Sequence, residues 1–109
     1  MQHILVGCAF AREVWFRVLD KISLQQISPL PHDQVFHDWW ASAEARVPKP
    51  ARSGFNSLVV LVAWSLWKHR NAAIFEGAAP SLVRVAQDIA GEATLWCMAG
   101  AKGLSGLWP

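Results

Sequence analysis

The chain has 109 residues, 53% of them hydrophobic and 17% charged, with a formal charge of +2. That balance excludes a disordered polypeptide, and the charge excess is too mild to imply nucleic-acid binding by itself. Two cysteines, Cys8 and Cys97, are too few for a disulfide framework. The N-terminal residues lack the cationic start of a secretory leader, and the apolar run from Leu58 to Trp67 is about half of the ~20 residues a bilayer requires. The chain is therefore expected to be intracellular, in nucleus or cytoplasm, with no membrane partner.

Seven tryptophans and five phenylalanines, without tyrosine, must be buried or sit at an interface, and part of this apolar surface is expected to stay exposed. A core drawn from so short a chain is marginal, so partners matter.

The first predicted helix spans residues 9–22. Phe10, Val14, Val18 and Ile22 recur at helical spacing beside Ala11, Trp15 and Leu19, while Arg12, Glu13, Arg17, Asp20 and Lys21 take the other side. Ser28-Pro29-Leu30-Pro31 breaks it, and Asp33 is placed to cap a second helix over 34–46, in which Phe36, Trp40, Ala43 and Val47 form the apolar face, widened by Trp39. The proline-containing connector Val47–Gly54 then leads to a third helix over 55–75, with Ser53 or Asn56 as candidate caps and Gly77 as its left-handed stop.

Pro80 or Ser81 opens a fourth helix, 81–98, whose buried stripe is read as Leu82, Ala86, Ile89, Ala93 and Trp96 or Cys97. Beyond Ala99 the chain has three glycines and no periodicity, so a loosely ordered tail is expected. Convincing strand alternation is absent. The expected fold is an all-α bundle of about four helices around Trp15, Trp40, Trp64, Trp67, Ile74, Phe75, Ile89 and Trp96.

Three segments, HILVGCAFAREVWF (3–16), FHDWW (36–40) and the stretch from Phe55 to Gly77 with its core WSLWKHRN (64–71) and Phe75, together resemble the C-terminal region of plant LINE-type non-LTR retrotransposon reverse transcriptases. In that family a zinc-binding domain, with a Cys-x-x-Cys pair followed by His-x4-Cys, trails the polymerase, and a W-x-x-W-K-x-R-N helix lies downstream of it. The resemblance extends through Leu95-Trp96-Cys97 and residues 99–103. It implies that His3 and Cys8 correspond to the second zinc-ligand pair, that residues 1–8 are the remnant of that motif, that 9–98 form the helical domain and that 99–109 are a flexible tail.

This chain has no polymerase region, no Asp-Asp dyad and no Cys-x-x-Cys half, so the family's enzymatic activity is not carried over. It reads as an orphaned, fragment-like remnant, a helical accessory or interaction segment. No cofactor is expected, and zinc would require the missing ligand half from elsewhere, because a structural site needs four ligands.

Two further chemistries are open to the residues. Lys68, His69, Arg70 and Asn71, with Arg12, Arg17, Lys49 and Arg52, are candidates for phosphate contacts while exposed tryptophans stack on bases, which makes weak nucleic-acid binding the alternative function. The same residues also fit a solvated helix face. For catalysis, Cys97 or Cys8 would need His69, His37 or His32 as a base, and no local motif links them; Cys97 lies on an apolar stripe, where a thiol is inert. No catalysis is expected. The remaining partner class is a second copy or a helical partner meeting the apolar faces.

Overall fold

A cysteine sets the start of the first long helix. In the computed structural model, which describes residues 3–77 and 79–109 apart from the side chains of His3 and Ile4, a π-helical turn over His3–Gly7 runs into Cys8, whose backbone is extended. The Cys8 Sγ accepts a hydrogen bond from the Ala11 N–H at 3.4 Å. This satisfies one of the donors that every helix leaves free at its N-terminus. Helix α1 follows (Ala9–Asp20) and buries Ala11, Val14, Trp15, Val18 and Leu19. It stops in a Schellman arrangement: Leu24 N–H bonds the Leu19 carbonyl, Ser23 N–H bonds that of Asp20, and Ser23 takes the left-handed conformation at φ 61°.

Helix α2 (Phe36–Arg46) begins two residues later than expected and has no side-chain cap. The Asp33 carboxylate is occupied elsewhere, accepting from the Leu30 N–H at 2.8 Å within the proline turn. Its buried residues are Trp39 and Ala43, followed by Val47. Trp40, expected inside, is only partly buried. Trp39 takes the inner place because its indole N–H reaches the Ile27 carbonyl at 3.0 Å and its ring packs 4.7 Å from that of Trp15.

Pro48 and the 3-10 turn Lys49–Ala51 feed directly into α3 (Arg52–Phe75), which starts three residues earlier than expected. Neither Ser53 nor Asn56 caps it. Arg52 instead folds back on the end of α2, donating to the carbonyls of Val47 at 2.9 Å and Ala45 at 3.3 Å. Gly77, at φ 69°, follows the end of α3. The Ser81 hydroxyl caps α4 (Leu82–Met98) by accepting from Arg84 N–H, and α4 buries Val85, Ile89 and Ala93.

The last segment is where the sequence reading gives way. Lys102–Ser105 form a short α5 whose Leu104 is fully buried. Gly103 lies so close to Gly54, at the start of α3, that a Cβ on Gly54 would collide with the Gly103 carbonyl. Residues without periodicity are held here by one buried leucine and a glycine-to-glycine approach.

The protein is all-α, and no strand occurs among the described residues. Helix α3 is the hub: α2, α4, α5 and the N-terminal turn pack on it, while α1 lies against α4. The assembly is a slab of 40 × 33 × 18 Å. Its short dimension is less than two helix diameters of about 10–12 Å each, so α3 is covered on one side only. This thinness corrects the expected core. Trp15 and Ile89 are buried, but Trp64, Ile74 and Phe75 are 51%, 57% and 79% exposed. Phe55, Leu58, Leu61, Leu19, Ile27 and Leu104 fill the interior instead. No helix among the described residues is long and apolar enough to cross a membrane.

Two substitutions test this account. Gly54→Ala should destabilise the protein by about 1–3 kcal/mol, the usual cost of overpacking, seen as a lower urea midpoint; an unchanged midpoint would mean that residues 99–109 do not pack on α3. Ser23→Gly should raise stability by up to about 1 kcal/mol by relieving a left-handed serine, read as a Tm increase of several degrees, about 4 °C.

Candidate functional site

The outer face of α3 carries Val60, Trp64, Trp67, Asn71 and Ile74, separated by alternating intervals of four and three, which places them in one stripe. Val60 is half exposed like Trp64. The rings of Trp64 and Trp67 stack with centroids 5.0 Å apart and planes 18° from parallel, and the Lys68 ammonium sits 5.8 Å from the Trp64 centroid. This is a cation–π contact at an exposed site.

Beside the N-terminal half of the stripe, α2 supplies a second wall. Phe36 and Trp40, with ring centroids 5.6 Å apart, face Val60, Ala63, Trp64 and Trp67 across a shallow apolar groove of about 440 Å³ that Leu5 also lines. Polar contacts beneath the groove fix that wall. The Trp40 indole N–H donates to Asn56 Oδ1 at 2.8 Å, and the Asn56 amide donates to Glu44 Oε2 at 2.6 Å. A partly buried side-chain chain of this kind holds both helices at a set distance, because breaking it would leave polar groups unpaired.

The four consecutive residues Lys68, His69, Arg70 and Asn71 do not form one patch. Successive helical residues are turned by about 100°, so Lys68 and Arg70 fall on opposite flanks of the stripe, Asn71 lies within it, and His69 points to the other side. His69 stacks on Phe10 of α1 with centroids 5.3 Å apart and planes nearly parallel, and its Nε2 accepts the Ser81 N–H at 3.3 Å. Of the other cations, Arg12 donates to the Gly7 carbonyl at 3.0 Å and Arg52 caps α2. Arg17 and Lys49 are exposed.

Cys8 serves as the cap of α1, and the His3 side chain lies outside the described residues. Among the described residues no group of three or more His, Cys, Asp or Glu side chains is placed to hold a metal ion. Cys8 and Cys97 are both free and partly buried. His32 is exposed and 3.6 Å from Asp33, and His37 is exposed on α2.

A larger cleft of about 920 Å³ separates the C-terminal half of α3 from α4, with Lys68, His69, Arg84, Glu76, Asp88 and Glu92 among its lining residues. Its mixed charges give it no single sign. Ser65, buried in α3 beside this cleft, has a hydroxyl without a hydrogen-bond partner.

Sequence reasoning missed Val60 and the Asn56 chain. Val60 sits in an unbroken apolar run that hides its direction. Asn56 carries a signal, a carboxamide one helical turn inside a strongly apolar helix, but near a helix start the same residue type also fits a cap.

No protein-family model, no curated protein and no solved structure matches this sequence.

The setting of His69 yields a pH dependence. Burial lowers its pKa from 6.5, with Arg84 lowering it further and Asp88 partly opposing. The neutral ring is the one that accepts from Ser81, since protonation would turn Nε2 into a donor. The unfolded chain therefore takes up the proton first as the pH falls, and stability present above pH 6.5 is lost progressively below it. Urea midpoints measured at pH 8 and pH 5 should fall more for the wild type than for His69→Gln; equal falls would place the ring outside the packed junction.

Proposed function

We propose that this chain is a non-catalytic helical interaction segment, derived from the C-terminal region of a plant LINE-type reverse transcriptase, whose working surface is the aromatic groove between α2 and α3. The supporting observation is the Trp64–Trp67 stack, left half open beside a wall that hydrogen bonds hold in place. Contiguous apolar surface rimmed by polar groups is the usual mark of an interaction site, and a rigid groove binds with less loss of freedom than a mobile one. No cofactor enters this reading, and Cys8 would contribute to zinc only with ligands from outside the chain.

Weak nucleic-acid binding is the second reading. It is favoured by one specific feature, an exposed indole stack with an ammonium over it, which suits a base and its phosphate.

Exposed-apolar dye binding and titration of a labelled single-stranded oligonucleotide test both. Val60→Ser combined with Trp64→Ala should keep the helical signal and remove most of the dye binding; dye binding that survives intact would sink the groove as the working surface. For the second reading, oligonucleotide affinity should fall with added salt and with Trp64→Ala, and a salt-independent signal would rule out phosphate contacts.

A further inference from the structure

We infer that the outer stripe of α3 docks one amphipathic helix of a partner protein, and that this helix carries acidic residues on both of its flanks. The inference rests on the reading of the α2–α3 face as an interaction surface and adds the chemistry of what covers it.

The spacing gives the shape of the occupant. Val60, Trp64, Trp67, Asn71 and Ile74 follow the four-three alternation by which one helix presents a seam to another, and the seam runs about 21 Å at 1.5 Å per residue. That length matches about four turns of a facing helix. Asn71, half-buried and without a side-chain hydrogen bond among the described residues, sits within the seam, where a polar residue sets register.

Charge gives the sign. Lys68 and Arg70 each lie about 80° from the middle of the stripe, one on either side. Helix α3 carries no Asp or Glu along its length from Arg52 to Phe75, and Arg70 is exposed and makes no ion pair among the described residues. Flanking positions of a helix pair choose the partner by opposite charge.

A second copy fits poorly, because each copy brings the same two cations, Lys68 and Arg70, to the edges of the seam. Pairing α3 with itself, parallel or antiparallel, would set ammonium and guanidinium groups against their own kind. A nucleic acid would meet the same two cations, but the seam is aliphatic at both ends, with Val60 and Ile74 where a backbone of phosphates would need donors.

The test uses the full chain and two labelled helical peptides of about 18 residues. Both have leucines at intervals of four and three. One has glutamates on both flanks, the other lysines. Fluorescence anisotropy should show the acidic peptide binding at least about tenfold more tightly than the basic one, and K68E combined with R70E should reverse that order while the helical signal is unchanged. Trp64→Ala should weaken the acidic peptide.

Equal affinities, a preference for the basic peptide, or a preference that K68E and R70E leave in place would overturn the inference. If the acidic peptide fails while Trp64→Ala still alters oligonucleotide titration or sedimentation, the helical partner is wrong and the interaction surface stands. If Trp64→Ala moves none of these readouts, both fall.

Discussion

Two buried indole N–H groups hold the irregular parts of this molecule to its helices. Trp15 of α1 donates to the Leu5 carbonyl at 2.6 Å, and Trp39 of α2 donates to the Ile27 carbonyl at 3.0 Å. Both acceptors lie in short non-α segments, the π-helical turn before α1 and the 3-10 turn after it. A buried carbonyl left without a donor costs about 1–3 kcal/mol, a large share of what a chain of this size has in reserve. The two rings then pack against each other. One pair of tryptophans thus joins the N-terminal turn, α1, the proline turn and α2, and sets the platform on which α3 lies.

Helix α3 is anchored differently at its two ends. Near its N-terminus Arg52, Gly54 and Asn56 reach the end of α2, the backbone of α5 and the Trp40–Glu44 pair respectively. Near its C-terminus the main polar tie is His69, which bridges Phe10 of α1 and the capping residue of α4. The second set contains a ring whose pKa burial lowers. Acidification therefore loosens the junction of α1, α3 and α4.

The all-α class and the order of the helices were legible because apolar residues recur at helical spacing and the breaks fall at Pro29, Pro31, Pro48, Pro50 and Gly77. What periodicity could not give was direction within the aromatic runs. Trp39 and Trp40 are adjacent, and it is the Ile27 carbonyl and the Trp15 ring, both distant in sequence, that select the inner one. In α3 the run Leu58–Val62 is apolar on every side, so Val60 could not be told from its buried neighbours. The tail was illegible for a different reason: Leu104 and the Gly54–Gly103 approach are a contact between residues far apart in sequence, which no local pattern records. At the site, Lys68 to Asn71 was legible as a cluster of polar residues but not as four directions, since adjacency in sequence is separation around a helix.

The stretch from Trp64 to Asn71 has an unusual place in the fold. Its inward members, Ser65, Leu66 and His69, are spent on packing or on the junction with α4. Trp64, Lys68, Arg70 and Asn71 contribute little that holds the helices together: the first three are exposed, and Asn71 bonds to nothing among the described residues. Large aromatic side chains left in water forgo about 1.5–3 kcal/mol each that burial would supply. The Trp15–Trp39 pair and the Asn56 chain stabilise the platform alongside the buried core of Phe55, Leu58, Leu61 and Ile89. The two sides of α3 differ accordingly: one face packs the protein together, and the other leaves Trp64, Lys68 and Arg70 exposed with Trp67 and Asn71 half-buried between them.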